Sequence, residues 1–256
     1  MKKLMVTGFP HCGTTILKSV IGHCDNVKEL VHETAIIREE DMNSDHEFIL
    51  CKWPWARENT FRDKKFNDYI KIFIIRNPLW IYSSLNKRCD NAWDKGIPKC
   101  HGIDVYIEFL ERWVSLVGSG RKDVFLLKYE NIFGGGFAIL RHVFSEIGLS
   151  VTNEIFENNK WTNFSHKNQT TDMISEKPPN SSGHKWANVN HNQYRLWQIN
   201  QPIQNMNTMD KLDYLFPEQI EQIISSKIIM QMYPDIPNIL REAKIDFDGS
   251  KVAQVD

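Results

Sequence analysis

The sequence predicts an α/β fold in which a central parallel β-sheet is flanked by helices on both faces. Short apolar runs alternate with stretches of helical period along the first 150 residues, and a turn with two glycines joins the first run to the first helix. The run from Ile70 to Ile75 is nearly continuous in apolar residues, as a strand buried on both faces would be. Helical crossovers between such strands are right-handed and leave the strands parallel.

Taken in order, Leu4 to Val6 is a strand closed by Thr7-Gly8, and Leu17, Val20, Ile21 and Cys24 recur at i, i+3, i+4 and i+7 of a helix. Phe48 to Cys51 is the second strand expected and Ile70 to Ile75 the third. Helical spacing returns at Ile81, Tyr82 and Leu85, then as a clear amphipathic helix through Tyr106, Phe109, Leu110, Trp113, Val114 and Val117. Val124 to Leu127 makes a fourth strand, and Phe137, Leu140, Phe144 and Ile147 a helix stopped by Gly148. Between residues 150 and 210 the composition turns to Asn, Ser, Thr, Lys and His without a sustained period, which predicts an irregular lobe. Pro217 opens a last helix, expected over residues 217–233, with Ile220, Ile223, Ile224 and Ile228 on one face; the tail after Ile245 is expected to fray. No internal repeat is visible; a domain usually takes about 100 to 200 residues, so residues 1–256 are expected to form a single large domain, or a core with one elaborated lobe.

Composition narrows the function. Hydrophobic residues at 41% and charged residues at 25% are ordinary globular usage, which excludes a disordered or fibrous chain. Lys plus Arg number 31 against 32 Asp plus Glu, so there is no global positive field for a long nucleic acid, although a local cationic pocket remains possible. The longest apolar stretches fall well short of the roughly 20 residues that cross a bilayer, and no membrane association is expected. The run after Met1-Lys2-Lys3 is too short for a secretory signal, so the mature chain is expected to start at Met1. Five scattered cysteines without CxxC spacing argue against a disulfide framework and a zinc site, and place the chain in a reducing, cytoplasmic setting. Cys89 and Cys100 could pair across their loop, but idle thiols are the simpler account.

Gly8-Phe9-Pro10-His11-Cys12-Gly13-Thr14-Thr15 has the two-glycine spacing of a P-loop set between strand and helix. Backbone N–H groups there can wrap an anion, the helix N-terminus adds about half a positive charge, and Thr14 and Thr15 offer hydroxyls. A nucleoside-triphosphate loop needs Lys where Thr14 stands, so a triphosphate fits poorly. The blander alternative is a glycine turn packed under a sheet. After the third strand, where a metal-holding acid is common, the chain reads Arg76-Asn77-Pro78; a cation there selects a second anion and cannot ligate a metal. Ser84, eight residues on, could converge on the same anion. Together these describe a nucleotide with phosphate-like groups at two separate places, bound without magnesium.

On these residues the sequence resembles the PAPS-dependent sulfotransferases, PAPS being 3′-phosphoadenosine 5′-phosphosulfate. The resemblance covers most of Lys3 to Leu149 and, loosely, the region around Trp186. It implies that Pro10, His11, Cys12, Gly13, Thr14 and Thr15 hold the 5′-phosphosulfate, that Arg76 and Ser84 hold the 3′-phosphate, and that Tyr129 of the Tyr129-Glu130 pair lines the cofactor site. Gly183-His184-Lys185-Trp186 is similar to a late segment that closes over the nucleotide, with Lys185 reaching a phosphate and Trp186 anchoring the loop. A solvated lysine beside a buried tryptophan accounts for that short stretch almost as well.

Two subtypes of the family place the base differently. The cytosolic phenol and steroid class has a histidine on the second strand, where this chain reads Lys52-Trp53-Pro54-Trp55. His32-Glu33-Thr34 instead resembles the Glu-Thr of tyrosylprotein and bacterial relatives, and Leu50-Cys51-Lys52 their lysine-bearing strand end; Cys24 departs from the pattern by replacing a proline. The resemblance therefore implies Glu33 as the base for an acceptor hydroxyl and Lys52 as the cation at the bridging oxygen. Without it, Glu33 would be one acid among Glu29, Glu39 and Glu40, and Lys52 an ordinary strand-end lysine. His11 stands where the family has Lys or Arg; it is expected to be protonated in the cofactor complex and to contact the leaving oxygen.

The expected activity is transfer of sulfonate from PAPS to a hydroxyl, with an amine the lesser alternative, by metal-free in-line displacement that releases adenosine 3′,5′-bisphosphate. A P-loop small-molecule kinase and a non-catalytic nucleotide-binding relative are the competing accounts. Residues 86–102 and the lobe after Ser150 are expected to wall the acceptor site, which admits a small molecule, a carbohydrate or a peptide. Neither the acceptor nor the oligomeric state is legible in the sequence.

Overall fold

The computed structural model describes residues 1–54, 64–92, 101–132, 137–153, 155 and 207–255. Among them, five strands form one sheet: β1 (Lys2–Gly8), β2 (Val27–Glu33), β3 (Phe48–Lys52), β4 (Tyr69–Ile75) and β5 (Val124–Lys128). Their order is β2-β3-β1-β4-β5, and every neighbouring pair is parallel. The expected α/β class is therefore observed. All the C-terminal strand ends, where ligands bind in such sheets, share one edge.

The helices are α1 (Thr14–Gly22), α2 (Pro78–Ala92), α3 (Ile103–Gly118), α4 (Tyr129–Ile132), α5 (Ala138–Ile147), α6 (Pro217–Ile224), α7 (Lys227–Met232) and α8 (Ile236–Glu242). In register, Leu4 lies opposite Leu50 and Ile70, and Val6 opposite Lys52 and Ile72, so these residues share one face of the sheet. Leu17, Val20 and Ile21 of α1 join that face in one core cluster. Phe73, on the opposite face, packs on Trp113 of α3 with ring centroids 5.0 Å apart. Helices thus cover both faces. Burying the apolar side chains of one strand is worth about 1.5–3 kcal/mol each, which is what holds β1 between its neighbours.

Three expectations are corrected. Val27–Glu33 is a strand that the pattern of apolar residues does not reveal, since Lys28, Glu29, His32 and Glu33 interrupt it. Glu29 is tolerated because Lys18 of α1 pairs with it at 2.9 Å, with both side chains about nine-tenths buried (9% and 11% exposed). The single helix over 217–233 is two helices, because Ser226 stops one register and starts another: its Oγ accepts from Ile229 N at 3.4 Å as an N-cap. The tail does not fray after Ile245. Phe247, Val252 and Ala253 pack on the core, and Ala253 N donates to Ile224 O at 2.9 Å.

The helix end at Gly148 is as expected, with φ +88 and Leu149 N returning to Phe144 O at 2.9 Å. The expected irregular lobe lies mostly outside the described residues. Among those residues no helix is long and apolar enough to cross a membrane.

Candidate functional site

The glycine loop is built by steric demand. Gly8 ends β1 beside Ile74, where a Cβ would stand 2.6 Å from the Ile74 carbonyl oxygen. Gly13 sits at φ +94 under the Tyr129 ring, and a Cβ there would meet Cδ2 at 2.7 Å. Phe9 points inward, edge-on to Tyr106 and Phe109 at centroid distances of 5.1 and 6.0 Å, which anchors the loop. Cys12 is fully buried, and burial pushes its thiol pKa up; its N–H donates to Phe9 O at 3.2 Å. The first helical bond of α1 runs from Leu17 N to Gly13 O at 3.0 Å. The amides of Thr14, Thr15 and Ile16 therefore precede the ladder, at the positive end of the helix dipole.

Lys52, at the end of β3, is 4% exposed and donates from Nζ to Thr15 Oγ1 at 2.8 Å. The C-terminal end of β3 and the first turn of α1 are thus joined through an ammonium. Glu33 lies opposite Lys52 in the β2–β3 register, after an irregularity between Glu29 and Glu33. Two residues distant in sequence, one acid and one base, are brought to neighbouring strand ends.

Arg76 follows β4 and is 6% exposed. Its Nη1 donates to His11 O at 2.9 Å, and its Cζ stands 4.4 Å from the centroid of the Tyr129 ring. Nε and Nη2 both donate to Asn207 Oδ1, at 2.9 and 2.6 Å. Asn207 Nδ2 donates to Glu130 Oε1 at 3.1 Å, which also accepts from Asn77 N at 2.9 Å. Burial raises the Glu130 carboxyl above the usual carboxylate range, against the opposing pull of these donors and of Arg76. Tyr106 closes the underside by donating to Arg76 O at 2.5 Å.

Ser84, on the second turn of α2, hydrogen-bonds His11 Nδ1 at 3.0 Å. His11 itself takes φ 64, a left-handed conformation in which its carbonyl meets Arg76 while its ring meets Ser84. Arg76, Ser84, Tyr129 and His11 are therefore one cluster, and Thr15, the second residue of α1, carries the contact with Lys52. Lys185 and Trp186 lie outside the described residues, and only the backbone of Glu33 is described.

Glu130 and Asn77 adjoin the motif residues Tyr129 and Arg76, and with Asn207 they complete the hydrogen-bond network around the guanidinium. Asn207 lies in a polar stretch with no periodicity, so nothing local marks it. Glu130 could have been found as the acid adjacent to Tyr129.

No family model matches the sequence, and no curated protein matches it. Among solved structures, mouse sulfotransferase SULT7A1 complexed with PAP is similar: TM-score 0.52 and 14% identity over 93% of this chain and 88% of that one. At that identity the likeness is one of fold.

Proposed function

We propose that this chain is a sulfotransferase that takes PAPS as donor and a hydroxyl as acceptor. The observation that carries the proposal is the joining of two anion-binding groups through His11: the helix amides after Gly13 on one side, Arg76 and Ser84 on the other. The fold shared with a sulfotransferase supports it. The residues fit such a donor chemically. Amides ahead of a helix suit the 5′-phosphosulfate, and a buried guanidinium with a serine hydroxyl suits the 3′-phosphate. Bound there, PAPS would supply the sulfonate whose bond to the 5′-phosphate breaks as the acceptor oxygen bonds to sulfur.

In this proposal Glu33 accepts the proton that the acceptor hydroxyl loses, a role worth about 10²- to 10⁴-fold. Lys52 carries positive charge to the oxygen between sulfur and phosphorus, where negative charge develops. Thr15 positions Lys52 through its hydroxyl. His11 is assigned to the leaving phosphate oxygen, Lys185 to a phosphate and Trp186 to the covering segment. The acceptor is a small molecule, a carbohydrate or a peptide.

Labelled-sulfonate transfer from PAPS across carbohydrate, peptide and small-alcohol acceptors tests the proposal, run beside Glu33→Gln. Transfer by the parent that the variant loses is the expected result. Magnesium-dependent ATP binding in place of adenosine 3′,5′-bisphosphate binding would overturn it in favour of a kinase.

A further inference from the structure

Three of the five N–H groups of the Arg76 guanidinium are engaged by the chain itself, two at Asn207 Oδ1 and one at His11 O. Among the described residues, one N–H on each Nη remains for another acceptor. The Tyr129 face, 4.4 Å from Cζ, fixes the plane of the group, and Asn207 fixes its rotation within that plane.

The choice of asparagine has a chemical reason. The side chain lies between a guanidinium and a carboxyl group, so only one amide orientation satisfies both: oxygen toward Arg76, nitrogen toward Glu130. A neutral amide also holds two donors of a buried cation without cancelling its charge. Aspartate would hold them equally well and neutralise the site. Arg76 is buried at the sheet edge, and it keeps both its charge and a fixed fork of two N–H groups.

We infer that Asn207 is a positioning residue for the nucleotide's second phosphate: by clamping Nε and Nη2 of Arg76 it aims the remaining N–H groups and so sets the preference for a 3′-phosphorylated adenosine. This rests on the donor site proposed above. Asn207 touches the phosphate ligand Arg76 and acts through it.

The test is calorimetric titration of the full chain with adenosine 3′,5′-bisphosphate and with adenosine 5′-phosphate, for the parent, Asn207→Ala and Asn207→Asp. The parent is expected to prefer the bisphosphate. Asn207→Ala should cut that preference about tenfold, or ~1.4 kcal/mol, through the bisphosphate alone, with the monophosphate changed by less than about twofold. Asn207→Asp should cut it at least as far, because a carboxylate neutralises the guanidinium while keeping its contacts. If the alanine variant loses its cooperative melt, Asn207→Gln decides: it keeps the amide but moves its oxygen by one methylene, so a misaimed guanidinium should lower the preference for the bisphosphate likewise.

An unchanged preference in the variants, or an equal loss on both nucleotides, would overturn the inference and leave the donor site standing. A gain in bisphosphate affinity by Asn207→Ala would overturn it too, since the amide would then be a competitor for the phosphate. A parent without preference for the bisphosphate would overturn both the donor site and the role of Asn207.

Discussion

His11 Nδ1 and Ser84 Oγ lie 3.0 Å apart across 73 residues of sequence, and the carbonyl of the same histidine accepts from Arg76. The glycine loop and the segment after β4 are thereby coupled through His11. That residue stands at φ 64, a conformation that costs an L-residue about 1–2 kcal/mol. The strain is offset by three connections made at once: loop backbone, arginine and serine.

His11→Gly separates the strain from the chemistry. Removing the side chain relieves the left-handed penalty but also loses the Ser84 contact and frees the unfolded chain, so Tm should stay within about 4 °C of the parent while sulfonate transfer falls. His11→Arg should keep nucleotide affinity and lose most turnover if the imidazole does what a fixed cation cannot. Thermal melts, nucleotide titration and transfer assays on both variants check this; His11→Ala with parental activity would make the residue purely structural.

Glu33→Gln keeps size and loses the basic oxygen. Turnover should fall by about 10²- to 10⁴-fold, with the affinity for adenosine 3′,5′-bisphosphate within about twofold of the parent. Single-turnover transfer beside nucleotide titration measures it. Parental turnover would remove Glu33 from the mechanism.

Lys52→Met replaces the buried ammonium with an apolar chain of similar length. Transfer should drop by about 10²- to 10³-fold, whereas Thr15→Val, which removes only the hydroxyl that receives Nζ, should cost about tenfold or less. A double-mutant cycle in kcat/KM reads the coupling between the two. Strictly additive effects would show that the 2.8 Å contact positions nothing.

Far from the site, Asp123 accepts from Arg121 and from the fully buried Lys71, at 2.9 and 3.0 Å. The hydrogen bonds from Arg121, aided by Lys71 and opposed by burial, hold its carboxyl down at about 2 from an ordinary 3.8. A depressed folded pKa stabilises above the unfolded value and loses that contribution as pH falls from 3.8 through about 2. Asp123→Asn leaves the buried Lys71 ammonium with the Tyr69 carbonyl but without its carboxylate, and should cost about 2 kcal/mol near neutral pH. Urea denaturation of both proteins should show the gap narrowing toward pH ~2. A gap of constant size would mean that Asp123 acts through shape alone.

Four of the five strands and the loop were legible because each is a local pattern. Ile70 to Ile75 reads as a buried strand from its own residues, and Gly8 and Gly13 mark a turn that tolerates no Cβ. β2 was not legible, because its charges are compensated by partners elsewhere: Glu29 by Lys18, Lys28 by the Asp41 carbonyl at 2.7 Å. The break at Ser226 was equally hidden, since isoleucines on both sides keep the helical period across it.

The sequence by itself determined the α/β layering, the anion loop and the arginine that follows β4, since hydrophobic period and backbone sterics act within a few residues of one another. Tertiary structure alone decided that His11 joins Ser84 to Arg76, that Asn207 clamps the same guanidinium, and that the Glu33 backbone lies opposite Lys52 in register. Those pairings follow from how strands align and how buried charges find partners. Both are set by the packed whole, and neither leaves a mark on local spacing.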